Sequence, residues 1–164
     1  MRFHTETCEF IYERHLVVEE LTRAVANGRR RPRMAGPVCL FLHRGEYDAV
    51  HQGLSIAASA TAMGRKVELY FFWWALERLV KGKIDEPDLE RDDVNATMEL
   101  RRVPTIRQLL DVVRDSGHAT LFACTGSMTA IGLTPPDVEP KVDMLIGWTA
   151  ILQRTAGVTD RFTL

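Results

Sequence analysis

The sequence has few cysteines, no excess of charge of either sign and no long apolar run, and each absence excludes a class of protein. The three cysteines among its 164 residues, Cys8, Cys39 and Cys124, are widely spaced and form no Cys-x-x-Cys pair. This spacing argues against a disulfide framework or a structural zinc site, and it favours a reducing cytoplasm. The net charge of -1, from 21 basic and 22 acidic residues, gives no electrostatic support for a dedicated nucleic-acid binder.

Membrane and nucleotide-binding signals are missing as well. The most apolar stretch, Val67 to Leu76, contains Glu68 and has about half of the length that a transmembrane helix requires. The charged start of the chain has no apolar run behind it, so we expect neither a secretory signal nor a membrane span. The sequence contains no Gly-x-Gly-x-x-Gly and no phosphate-binding Gly-x-x-x-x-Gly-Lys motif, and we therefore expect no nucleotide cofactor.

What is present is typical of one globular domain. The composition is 46% hydrophobic and 26% charged over 164 residues. We predict an N-terminal part, residues 1–36, with a helix over 9–27 and a solvated basic linker at Arg29 to Arg33, followed by a core over 37–164. The helix has a broad apolar stripe, which packs either across a subunit boundary of a homo-oligomer or on its own sheet.

The core alternates predicted strands and helices. The apolar run at 38–43 shows no alternation, which is typical of a strand buried on both faces of a parallel sheet. With a helix over 46–63 and a strand at 66–72, it forms a βαβ unit with a right-handed crossover. The same patterns predict a helix at 73–80 and an acidic excursion or flexible loop at 83–103 with at most one helical turn. They then predict a helix that begins with a Thr105–Gln108 capping box, a strand at 119–124, a short helix and a loop at 134–136. The last predicted elements are a strand at 142–146, a helix at 148–155 and a strand at 161–164.

Cys124 is the strongest candidate for a reactive residue, because a predicted strand ends there and a helix begins immediately after it. In that geometry the backbone N–H groups of Thr125, Gly126 and Ser127 point toward the sulfur and favour a thiolate, so that an accessible Cys124 would have a pKa below the usual value of about 8.5. The alternative is a buried, inert cysteine at a strand end. Cys39, in the middle of an apolar strand, is predicted to be inert.

Other candidates follow the first two strands. His43, Asp48 and His51 surround the turn after the strand at 38–43, where one histidine could donate a proton or pair with a thiolate across the cleft. Their spacing matches no metal signature, and we predict no metal site. Trp73 follows the next strand, where it forms core and cleft wall or stacks on a ligand. Because ligands in parallel sheets sit at the carboxyl ends of strands, we expect His43, Phe72 and Cys124 to share one edge.

Three of these stretches, in order, resemble the DsrE/DsrF-like family, sulfur-relay proteins related to TusD that are also labelled peroxiredoxin-like. They are Leu42 to His51 with the small-residue helix after it, Val67 to Leu76, and Val103 to Leu110 leading to Ala123-Cys124-Thr125-Gly126-Ser127-Met128. The resemblance covers residues from about 37 onward. It implies a three-layer α/β/α fold with a five-stranded, mainly parallel sheet, a tendency to form homo-oligomers, and a persulfide on Cys124.

The resemblance makes a cytoplasmic sulfur carrier or sulfurtransferase-like protein the leading functional expectation. Cys124 would accept sulfur from a donor, either a protein or a small sulfur species, and pass it to a cysteine of an acceptor protein. Two alternatives stay open: a non-catalytic module that binds a small ligand or assembles into oligomers, and a thiol redox sensor. The sequence offers no resolving cysteine next to Cys124, which disfavours the sensor.

Overall fold

The computed structural model describes residues 36–86 and 92–164. The predicted helix over 9–27, the basic run at 29–33 and Cys8 lie outside the described residues, as does the 87–91 part of the acidic segment. The division of the chain at residue 36 and the expectation that the first helix packs across a subunit boundary therefore stay predictions.

The described chain alternates strands and helices as the sequence predicts. The strands are β1 (Val38–Leu42), β2 (Val67–Phe71), β3 (Ala119–Cys124), β4 (Met144–Ile146) and β5 (Arg161–Thr163). The helices are α1 (Tyr47–Ala62), α2 (Trp73–Val80), α3 (Asp92–Leu100), α4 (Ile106–Asp115), α5 (Thr125–Ala130), α6 (Pro135–Val138) and α7 (Trp148–Arg154), and a 3-10 turn spans Glu139–Lys141. Among the described helices, none combines the length and the apolar character needed to cross a membrane.

The strands form one five-stranded sheet in the order β4-β3-β2-β1-β5, and every neighbouring pair is parallel. The register places Leu42 beside Phe71 and Phe71 beside Ala123, so the carboxyl ends of the inner strands are level. The predicted α/β architecture with a parallel sheet is thereby confirmed.

One face of the sheet, here called the helical face, carries most of the helices. Its side chains include Leu40, Leu69 and Leu121, which are almost completely buried. Apolar residues of α1, α2, α4, α5 and α6 pack on them in one continuous core. Helix α4 packs there through its predicted amphipathic stripe, whose buried residues are Ile106, Leu109, Leu110 and Val113. The predicted Thr105–Gln108 capping box is present at its start.

The opposite face, here called the aromatic face, carries Phe41, Tyr70 and Phe122, whose rings stack across β1, β2 and β3. Only α7 among the described helices places a buried residue, Ile151, in this second cluster. The reason is topological. The order runs from β1 through β4 in one direction and then returns to β5, so right-handed crossovers put the final connection on the other face. Helices on both faces make the three-layer α/β/α fold.

Two local predictions are wrong. The segment 83–103, predicted as an excursion or flexible loop with at most one helical turn, contains the nine-residue α3, since residues 96–100 are mostly good helix formers. The predicted loop at 134–136 begins the short helix α6. There Thr134 and Asp137 form a reciprocal capping box, and proline is tolerated in a first helical turn because its missing N–H would have no intrahelical partner.

Candidate functional site

Four side chains stand next to one another along the carboxyl edge of the aromatic face: His43, Phe72, Cys124 and Ile146, here called the edge row. The register pairs Cys124 with Ile146, and His43 and Phe72 directly follow the paired residues at the ends of β1 and β2. The prediction that His43, Phe72 and Cys124 share one sheet edge is confirmed. Phe72 stands between the other two, and neighbouring strands lie about 4.8 Å apart, so His43 and Cys124 are separated by two strand spacings.

Cys124 is buried, with an exposed fraction of 2%. It is the N-cap residue of α5, but its side chain makes no capping hydrogen bond to the backbone of that helix. The Cys124 side chain packs on the aromatic face with Phe72 and Ile146. Helix α5 instead lies on the helical face of the sheet, where it buries Met128. The accessible sulfur, oriented toward the N–H groups of residues 125–127, is therefore not the arrangement found.

The chain leaves β3 and β4 toward opposite faces of the sheet. After Cys124 it enters α5 on the helical face, and after Ile146 it enters α7 on the aromatic face. The two exits are close, since a Cβ on Gly147 would lie 3.6 Å from Thr125 Oγ1. We call this place, where the chain leaves β3 and β4 toward opposite faces, the switch point. In open parallel sheets, ligands bind at the carboxyl ends of the strands beside such a point.

An aromatic side chain from α7 lies over the edge row. The half-exposed Trp148 stacks on Phe72, with ring centroids 5.0 Å apart. The His43 ring also stacks on Phe72, with a centroid distance of 4.3 Å. The result is a continuous aromatic layer beside Cys124. Trp148 is not among the predicted site residues, because its only sequence signal is its place at the start of the helix after the fourth strand.

His43 is half-buried, and burial lowers the pKa of its imidazole below the usual 6.5. It is therefore neutral near pH 7. Together with Asp48, Gln52 and Thr163 it lines a cavity of about 560 Å³ at the carboxyl ends of β1 and β5. Asp48 itself is exposed, and its carboxylate accepts a hydrogen bond from the Ala49 N–H at 2.8 Å.

His51, one turn further along α1, lies apart from the edge row. Its Nε2 is 2.9 Å from the carbonyl oxygen of Pro104, and the Ser55 hydroxyl donates a hydrogen bond to its backbone carbonyl. The imidazole thus joins α1 to the loop before α4. The structure brings His43 and Asp48 to one cavity and gives His51 a structural contact elsewhere.

The remaining predicted site residues lie close to the edge. Trp73 and Trp74, 44% and 56% exposed, form a tilted pair with ring centroids 6.2 Å apart. The φ of Trp73 is +40°, an uncommon value for a bulky residue, and it turns the chain sharply after Phe72. In α5, Thr125 is half-buried and Ser127 is buried, whereas Gly126 is exposed, and a Cβ on it would lie 3.8 Å from Cys124 Sγ.

A polar cluster lies on the aromatic face below the stacked rings. Glu68 is its centre: the Tyr70 hydroxyl donates to Oε2 at 2.5 Å, Arg154 donates to Oε1 at 2.7 Å, and the Cys39 thiol points to Oε2 at 3.8 Å. Burial and the Glu68 charge raise the pKa of Cys39 from 9.0 to about 11. The sequence signal for this cluster was the charged Glu68 within the apolar run of β2. Its partners Cys39 and Arg154 are distant in sequence, so the cluster itself was not predicted.

Two further findings bear on the site. Within residues 36–86 and 92–164, no group of three or more His, Cys, Asp or Glu side chains is placed to hold a metal ion. The sequence matches no protein-family model, and a comparison with curated proteins finds no significant match.

Proposed function

We propose that this protein is a sulfur carrier that holds sulfane sulfur on Cys124. The observation that carries the proposal is the position of this residue, at the end of the inner strand β3 and beside the switch point. That is the place where parallel sheets of this kind bind their ligands. The resemblance of residues 37–164 to sulfur-relay proteins points to the same cysteine.

The chemistry is a thiol–persulfide exchange. The Cys124 thiolate attacks the outer sulfur of a donor persulfide R–S–SH, the donor S–S bond breaks, and R–S⁻ leaves with the bonding pair. Cys124 then carries –S–SH, and no external oxidant or reductant is consumed. Attack of an acceptor thiolate on that outer sulfur returns Cys124 to the thiolate.

The surroundings of Cys124 suit the storage of a reactive sulfur. Its neighbours in the aromatic-face cluster include Phe72, Ile146 and Ile151, which are apolar and buried. They limit the access of water and oxidants to the sulfur. The same burial requires that side chains move before a donor can reach Sγ.

The partners in this proposal are a donor and an acceptor of sulfur, of which at least the acceptor bears a reactive cysteine. The proposal includes a homo-oligomer and a reducing, cytoplasmic setting, in which protein thiols and persulfides persist.

Intact-protein mass spectrometry after exposure to polysulfide tests the proposal. We expect the wild type to gain one sulfur atom, Cys124→Ser to gain none, and Cys39→Ser, a matched change on the same face, to behave as the wild type. Absence of an adduct on Cys124 after prolonged exposure contradicts the carrier function. Rapid alkylation of Cys124 without an adduct favours a redox function instead.

A second candidate is a small-ligand-binding module without sulfur chemistry. Two observations favour it: Cys124 is 2% exposed, and the cavity of about 560 Å³ beside His43 brings polar groups together at the carboxyl edge. A fragment screen by NMR tests it. Shift changes confined to His43, Asp48 and Gln52, together with an unreactive Cys124, support the binding module over the carrier.

A further inference from the structure

Helix α7 is fastened to the aromatic face at its two ends by different contacts. At its start, Trp148 stacks on Phe72 in the edge row. At its end, the Arg154 guanidinium donates to Glu68 Oε1 at 2.7 Å and lies over the Phe122 ring, 4.9 Å from its centroid. The helix therefore runs from the carboxyl edge of the sheet toward the amino ends of the strands.

Between these ends α7 buries little, and beyond its last residue the buried Thr155 accepts a hydrogen bond from Arg161 through its carbonyl oxygen. Ile151 is the one buried residue among its seven. Helices with few buried apolar contacts open locally at lower free energy than core elements do. Cys124 and Ile151 belong to the same buried cluster on the aromatic face, the face on which α7 lies.

The Glu68 carboxylate is fixed in place for its partner. The Tyr70 hydroxyl holds Oε2 at 2.5 Å and leaves Oε1 for Arg154. The Glu68 side chain is mostly buried, whereas that of Arg154 is nearly half exposed. The Glu68 carboxylate is thus held in place on the sheet, and the Arg154 side chain is the partner that can move away when the ion pair breaks.

We infer that α7 is a cover over Cys124 and that the Arg154–Glu68 ion pair keeps this cover closed. Opening breaks the ion pair and the Trp148–Phe72 stack, and a reagent or donor then reaches Sγ. The inference rests on the proposed function only in taking Cys124 as the reacting atom.

The rate at which iodoacetamide alkylates Cys124, followed by peptide mass spectrometry, tests the cover. We expect Arg154→Ala to raise this rate about tenfold, since it removes both an ion pair and a cation–π contact. Arg154→Lys, which keeps the charge, should restore most of the protection. Arg114→Ala is the matched control: Arg114 donates to the carbonyl of Lys141, away from α7, and its removal should leave the rate unchanged.

Hydrogen exchange on the same variants separates a local opening from a loss of the fold. We expect faster exchange of the α7 amides in Arg154→Ala with unchanged exchange in β1. An unchanged alkylation rate overturns the inference, and so does exchange that rises equally in α7 and β1. If Arg154→Ala does not fold, Glu68→Gln removes the charge while keeping the side-chain size, and the same outcomes apply.

Polysulfide loading of these variants distinguishes the inference from the proposed function. Faster alkylation of Cys124 in Arg154→Ala without any sulfur adduct supports the cover and contradicts the carrier. An adduct on Cys124 with equal alkylation rates in all variants supports the carrier and overturns the cover.

Discussion

Phe72 separates His43 from Cys124 in the edge row, and its ring stacks on the His43 imidazole at a centroid distance of 4.3 Å and an interplanar angle of 10°. A direct thiolate–imidazole pair, one of the possibilities raised by the sequence, is therefore not formed. The imidazole instead belongs to an aromatic layer that continues through Phe72 to Trp148. His43 contributes to the shape of this edge, and Cys124 is the residue at which the proposed sulfur transfer takes place.

The half-buried position of His43 predicts a stability that depends on pH. Burial lowers the pKa of His43 in the folded protein, whereas the unfolded chain takes up a proton near 6.5. The unfolded state therefore binds more protons below that pH, and the free energy of unfolding falls as the pH decreases through about 6.5. We expect His43→Phe, which keeps an aromatic ring for stacking, to flatten this part of the curve.

Urea unfolding at several pH values between about 5 and 7.5 measures this dependence. His118→Asn, a change at an exposed position, is the matched control and should retain the slope of the wild type. An equal slope in His43→Phe and the wild type would show that His43 does not cause the dependence.

Cys39 and Glu68 predict a second dependence, in the alkaline range. The folded-state pKa of Cys39 is raised from 9.0 to about 11, chiefly by burial and then by the Glu68 carboxylate. The thiol stays neutral in the folded protein while the unfolded chain ionises. Stability is therefore fully present below about pH 9 and is lost as the pH rises toward 11, by on the order of 2–3 kcal/mol.

Denaturant unfolding of the wild type and Cys39→Ala at about pH 8 and 10.5 measures this loss. We expect the stability of Cys39→Ala to fall less than that of the wild type over this range. Glu68→Gln removes the carboxylate charge and should lower the pKa of Cys39 while leaving the effect of burial. Parallel losses in all three proteins would mean that Cys39 ionises alike in both states.

The strands and most helices were predictable because their signals are local. The apolar run of β1, the amphipathic stripe of α4 and its capping box each lie within a few consecutive residues. The shared edge of His43 and Cys124 followed from the rule for parallel strands. Local patterns do not say which neighbours cover a side chain once helices leave the sheet, and this is why the burial of Cys124 on the aromatic face was missed. The Glu68–Arg154 pair joins residues 86 positions apart, and no local pattern reports it.

The turn after β1 offers a steric prediction that concerns the same edge. A Cβ on Gly45 would lie 2.8 Å from Trp74 Cβ and 2.9 Å from its carbonyl oxygen, closer than real Cβ contacts allow. The Gly45 carbonyl also accepts a hydrogen bond from Arg78 Nε, and the same guanidinium binds the carbonyls of Lys83, Ile84 and Glu86. Gly45 therefore lets the β1 turn approach α2 closely enough for Arg78 to join both to the segment that follows.

We expect Gly45→Ala to lower the free energy of unfolding by about 1–3 kcal/mol, because backbone and a Cβ atom rather than a flexible side chain must move. Gly36→Ala is the matched control, since a Cβ there would meet nothing within 4 Å. Thermal and urea unfolding of the two variants give the comparison. If Gly45→Ala is as stable as Gly36→Ala, the turn after β1 can move away from Trp74 without cost, and the close approach does not fix this edge of the site.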